Sequence, residues 1–253
     1  MPIHTEREDL EALGEAKLLI DRLHEELAEI PWPPQAGSDL AEDEDNTPPT
    51  VHPGAMAHLM IRKAAECLVG AFHLCHPDNA SGVSPVEVLL RTALIGSCRT
   101  AFLLSPDIAE ERWENALILA RVDAHSASQA WRVLGDFELT IQHASHARTR
   151  VQEIADGLPY GDRPGEAGLI NRMIEAVLWR LPDQTDAPLL RERLLFMWHG
   201  YSGVAHANAW QTMLGHVAVP GALSTTGSLV DHLATLANAA SFGVKILGQR
   251  SRS

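Results

Sequence analysis

Three observations on this 253-residue sequence predict an all-α fold, a bundle of about seven or eight helices. Apolar residues recur every three or four positions along most of the chain, the spacing of one helix face. Cap-and-proline pairs such as Ser84-Pro85 and Ser105-Pro106 stand where such runs begin. No stretch alternates with period two for long enough to make a strand.

The elements follow in order. Thr5 and Glu8 have capping-box spacing, and Leu10, Leu13, Ala16, Ile20, Leu23, Leu27 and Ile30 then trace one face of a helix over 6–30. "PWPP" stops it, and the acidic, proline-rich stretch 31–52 ("AEDEDNTPPT") is expected to be a flexible linker. The sequence thus divides into an N-terminal helical arm (1–30), expected to pack on the rest of the chain or on another subunit, the linker (31–52) and a helical bundle domain (53–253). Pro53 suits the first turn of a helix running to about His76. Ser84-Pro85-Val86-Glu87 opens a helix to Leu104, with Glu87 in the capping-box position. Ser105-Pro106-Asp107 opens another, to about Leu134, and the pattern resumes after Gly135-Asp136 as far as Asp156. Past the loop "GLPYGDRPG" come helices over 167–181, 188–214 and 228–248.

Composition narrows the function classes. The formal charge of −13 disfavours broad nucleic-acid binding, which needs basic surface to displace counterions. No apolar run reaches the roughly 18 residues of a membrane-spanning helix, and "MPIHTEREDL" lacks a signal's apolar core, so the expected compartment is the cytoplasm. Cys67, Cys75 and Cys98 form no Cys-x-x-Cys pair and read as buried free thiols. With 20 basic residues but only Lys17, Lys63 and Lys245 as lysines, the Arg bias matches a GC-rich bacterial genome.

One segment holds most of the chemistry, "LLFMWHGYSGVAHANAW" at 194–210. On a helix, His199, Ser202 and His206 share one stripe, while Trp198, Tyr201 and Ala205 follow the neighbouring one. A helix apolar on nearly every side is expected to be central. There the histidines are either core groups satisfied by neighbouring helices or the floor of a polar cavity, in which His206 could serve as acid or base. Arg91 and Arg99, two turns apart on an otherwise apolar helix, need an anion if buried; if exposed, Arg91 is expected to pair with Glu87. Arg91, His199, Ser202 and His206 are therefore the candidate catalytic set, and Trp198, Tyr201, Trp210 and Arg99 the candidate pocket.

"WHGYSGVAHANAW" resembles a signature of uncharacterised, mostly actinobacterial all-α proteins, in which an aromatic residue, an arginine and a serine precede A-x-A-H-G and a tryptophan. Trp198, Ser202, Ala205, His206 and Trp210 match it, and "LLRTALIGSCRTAFLLSP" (89–106) is similar to that group's earlier helix, with Arg91 at its arginine. That group in turn resembles HEPN-type helical proteins, among them abortive-infection and toxin proteins. The resemblance implies a HEPN-like bundle core, a homodimer, and a role in stress or phage defence. In its nuclease members an arginine steadies the phosphate while a histidine assists attack by the ribose 2′-OH, without a metal. The present sequence departs at the arginine, which is His199 here, and Ile95 replaces an acidic residue four after Arg91. Arg193 and His199 keep the spacing, but Leu194 replaces the polar residue that usually follows the arginine.

The remaining histidine pairs, His73/His76 and His143/His146, are expected by chance in a chain with thirteen histidines, and no metal site or cofactor is assigned. A P-loop, a GxGxxG fingerprint and HExxH are absent from the sequence. The expected function is an interaction or ligand-sensing component, with a protein or small-molecule partner and no intact RNase motif. The rival is an enzyme using His206 in a buried polar pocket. Arginines gathered at the site would favour the nuclease, an apolar groove the interaction module, and converging carboxylates and imidazoles a metal enzyme.

Overall fold

Helices with one apolar stripe need a common surface to bury it against, and here one central helix supplies much of that surface. The computed structural model describes residues 6–76, 83–135, 142–159, 161, 163–180, 185–205 and 226–252. Among them the chain is all-helical: α1 (Glu6–Ala28), α2 (Asp39–Asn46), α3 (Pro53–Cys75), α4 (Val83–Leu104), α5 (Ala109–Gly135), α6 (Gln142–Gly157), α7 (Glu166–Trp179), α8 (Ala187–Ala205) and α9 (Thr226–Arg250). The centre is α4, which packs on α3, α5, α7, α8 and α9. Its Leu90, Ala93, Leu94, Cys98 and Ala101 are fully buried. Each large apolar side chain so buried contributes about 1.5–3 kcal/mol.

The expected centre, α8, is peripheral by comparison. Its Leu194, Met197, Trp198 and Tyr201 face the core, while Leu189 and Phe196 stand exposed. The apolar character that marked this helix as central is divided between a buried face and a solvent face.

The pairing of α3 with α4 is the most extensive, and it depends on a close approach. A Cβ at Gly96 would lie 2.6 Å from the Met60 carbonyl oxygen and 3.1 Å from the Ala64 Cβ. Backbone on the opposing helix leaves nothing flexible to yield. Gly96→Ala should therefore destabilise the fold by about 1–3 kcal/mol, despite alanine's better helix propensity. Gly14, exposed on α1 with nothing within 4 Å of its Cβ position, makes the control. Gly14→Ala should stabilise by about 0.5–1 kcal/mol. Thermal unfolding of the two variants should show shifts of opposite sign; equal shifts would remove the close-approach argument.

Of the two placements expected for the first helix, on the rest of the chain or on another subunit, the structure shows the first: Leu13, Ala16, Ile20, Leu23 and Leu27 join the common core, where α1 packs on α9 and α3. The expectation of a flexible linker over 31–52 is corrected. Ser38 Oγ caps α2 by accepting from the Ala41 N–H, and Leu40 and Asp43 are fully buried. The acidic composition misled because one of its carboxylates has a partner far along the chain. Arg112 of α5, only 4% exposed, donates through Nε to Asp43 Oδ2 (2.7 Å) and through NH2 to Oδ1 (3.0 Å). Trp113 Nε1 donates to the same Oδ1 (2.8 Å), and Arg112 NH1 reaches the Pro106 and Asp107 carbonyls.

A second polar knot lies beside it. Arg250, in the last turn of α9, bridges Asp39 of α2 (2.5 Å) and Asp107 (2.9 Å). Arg180 also binds Asp107, and its hydrogen bond is the main cause holding that carboxyl below the usual range. These arginines tie the connector, the α4–α5 turn and the ends of α7 and α9 together.

The predicted start devices fared unevenly. Ser105 does not cap α5; its hydroxyl donates to the Ala176 carbonyl of α7. Glu87 is not a surface capping residue but is only 8% exposed. All three cysteines are free and buried, as expected, and burial pushes the Cys75 and Cys98 thiols up to about 11 and about 12.

Candidate functional site

Arg91, Ile95 and Arg99 sit four residues apart on α4 and so project from one face. With α5, the start of α7 and Trp198 of α8 they enclose a cleft of about 620 Å³. His125 and Ser126 of α5 stand exposed at its rim, and Leu169, Ile170 and Met173 of α7 form an apolar wall. Arg163, from the loop before α7, completes the lining together with Pro164, Gly165 and Glu166.

The two α4 guanidiniums are mostly enclosed, Arg91 at 21% side-chain exposure and Arg99 at 19%. Arg91 donates from Nε to Ser202 Oγ (3.1 Å) and from NH2 to Glu166 Oε1 (3.2 Å). Arg99 makes a two-pronged pair with Asp123, at 2.7 and 3.3 Å. Both carboxylates are surface groups: Glu166 is 66% exposed and Asp123 50%. The expected Arg91–Glu87 pair does not form, because Arg91 is turned toward α7 and α8 instead. Arg163 is exposed and has no ion-pair partner among the described residues.

The structure thus joins Arg91 to Ser202 and places Arg99 and Trp198 in the same cleft. Other members of the predicted set part from it. His199 is exposed, its ring set edge-on to that of Trp198 at 4.5 Å, so it is neither a core histidine nor part of the cleft lining. His206 and Trp210 lie outside the described residues.

Tyr201 is 3% exposed and does not line the cleft. Its hydroxyl lies 2.6 Å from His232 Nδ1 of α9. Burial, then the nearby Glu87, holds the phenol well above its ordinary range. Burial, then Arg193, lowers His232 to about 4, so the imidazole is neutral at pH 7. A neutral imidazole beside a hydroxyl that keeps its proton is satisfied when Tyr201 donates to Nδ1 and Nε2 carries the ring proton. Glu87, raised to about 7 by burial, has no hydrogen bond among the described residues.

Sequence reasoning missed Arg163, His125, Ser126 and His232. The first lies in a loop without periodicity, and the others carry no motif. Only the packing of α5, α7 and α9 against α4 and α8 brings them near.

A larger groove of about 1110 Å³ runs past the exposed Trp179 and Ile108. Its Arg172, Arg180 and Arg191 are matched by Asp107, Glu111 and Glu175, leaving no net charge for a ligand. In the cleft, three arginines face two exposed carboxylates. That makes the cleft the better ligand site.

Among the described residues no group of three or more His, Cys, Asp or Glu side chains could hold a metal ion. No described helix is long and apolar enough to cross a membrane. Among the described lining residues no nucleophile is hydrogen-bonded to a base, and three guanidiniums of the kind that can hold an anion are present. No protein-family model, curated protein or solved structure matches the chain.

Proposed function

We propose that this chain is a HEPN-like helical protein that senses a small anionic ligand through the cleft between α4, α5 and α7, and is not itself a nuclease. One observation carries the reading. Two arginines, each about four-fifths enclosed, face a cleft while their charges are met, among the described residues, by exposed carboxylates that a ligand can replace. The likeness of 89–106 and 194–210 to defence-associated helical proteins supports a place in a bacterial stress or defence response, with a second copy or another protein receiving the signal.

The rival reading draws on Ser202, which holds Arg91 and stands four residues before His206 in the sequence. An arginine and a histidine brought together on a shared face are what metal-independent RNA cleavage needs. Purified protein incubated with mixed RNA, with and without divalent metals, separates the two. No cleavage above that of His206→Ala is expected. Equilibrium dialysis against a small-metabolite mixture should instead show a retained anion, lost in Ser126→Trp, which puts bulk at the cleft rim. RNA cleavage abolished by His206→Ala would overturn the proposal.

A further inference from the structure

We infer that the cleft takes a phosphomonoester: a small molecule with a terminal phosphoryl group and an apolar, preferably aromatic, body. This rests on the reading of the cleft as a ligand site and names its ligand class.

Three guanidiniums among the lining residues suit a dianion better than a single carboxylate. Ser202 Oγ accepts from Arg91 Nε, which fixes the guanidinium plane and leaves its terminal nitrogens for a partner. One of them now holds Glu166, an exposed side chain in the first turn of α7. Arg163 brings a third guanidinium, uncommitted among the described residues. Guanidinium forks match phosphate oxygens in pairs, and three of them exceed what one carboxylate can use.

The backbone adds donors at the same place. Gly165, the N-cap of α7, provides no side-chain cap, and its Cβ position faces open space. The first-turn amides beside the cleft therefore have no side-chain cap among the described residues, and they suit an anion. The apolar part of the lining is Ile95, Leu169, Ile170, Met173 and Trp198, which can bury a flat apolar body. The cleft volume of about 620 Å³ is that of a small-molecule site. A long polyanion would in addition meet the repulsion of a chain carrying −13.

Phenyl phosphate is the probe, measured by calorimetric titration at pH 7.5. Phenyl sulfate (same shape, one charge), benzoate, phenol and inorganic phosphate are the comparisons, with short RNA bearing or lacking a 5′-phosphate. Phenyl phosphate should bind tightest, with inorganic phosphate weaker for want of the apolar wall. Arg163→Ala should weaken phenyl phosphate about tenfold or more while leaving thermal stability unchanged, since Arg163 is exposed. Ser126→Trp should weaken every bound probe.

If phenyl phosphate does not bind, or binds Arg163→Ala as well as wild type, the phosphomonoester assignment is overturned. If benzoate or phenol then binds and Ser126→Trp abolishes it, the cleft remains a ligand site of another class. Preference for 5′-phosphorylated RNA over phenyl phosphate would overturn the small-molecule assignment. If no probe senses Ser126→Trp, the cleft reading falls as well.

Discussion

Asp43→Ala should cost about 3–5 kcal/mol of folding stability, because it leaves the Arg112 guanidinium buried without a counter-charge. Asp43 is fully buried, and it accepts from both Arg112 and Trp113. Its loss therefore strands two buried donors as well as a charge. Arg112→Ala should be similarly severe, since it exposes the pair from the other side and frees the Pro106 and Asp107 carbonyls. The double variant should cost clearly less than the sum of the singles, because removing the second charge relieves the first. Asp45→Ala, two residues away and exposed, should stay within about 0.5 kcal/mol of wild type. Denaturant unfolding of the four variants decides the matter. If Asp43→Ala unfolds with Asp45→Ala, the buried pair does not hold α2 against α5.

The second large effect depends on pH. Glu87 has its folded pKa raised from an ordinary 4.5 to about 7, by burial. Between those values the folded state binds more protons than the unfolded one, so this group's contribution falls as pH rises. Glu87→Gln, which cannot ionise, should therefore gain on wild type by roughly 3 kcal/mol between pH 4.5 and 7 and then level off. His232 acts in the opposite sense. Its folded pKa is depressed from 6.5 to about 4, chiefly by burial and then by Arg193, with Asp231 opposing. Its contribution is fully present above pH 6.5 and is lost as pH falls toward 4.

The two windows overlap, so in wild type the terms largely cancel. His232→Gln should thus gain on wild type as pH falls from 6.5 to 4, whatever constant it loses with the Tyr201 bond. Stability measured for the three proteins at half-unit intervals should give difference curves of opposite slope. Flat curves would show that neither group is held in the protonation state its burial demands.

Local periodicity determined a good deal of this molecule. The apolar face of α1, the limits of α3, the helix over Val83–Leu104 and the free, buried cysteines all follow from spacing and composition. These depend on neighbours three or four residues away, which a sequence displays directly. Arg91, Arg99, Ser202 and Trp198 were also legible as site candidates, because polar groups on apolar helices must find partners. Which partners they found was not. Arg91 chose Ser202, 111 residues on, over Glu87 on its own helix. His199 and Tyr201 stand two residues apart, yet one is exposed and the other buried against α9. Helical period places them on different faces, but only the neighbouring helices decide which face meets solvent.

The connector makes the same point most sharply. "AEDEDN" is acidic enough to read as solvated chain, and Asp45 indeed lies on the surface. Asp43 is buried because Arg112, sixty-nine residues later, meets it with two hydrogen bonds. Composition averages over charges; burial selects one, and the selection is made by a partner that only the tertiary structure brings within reach.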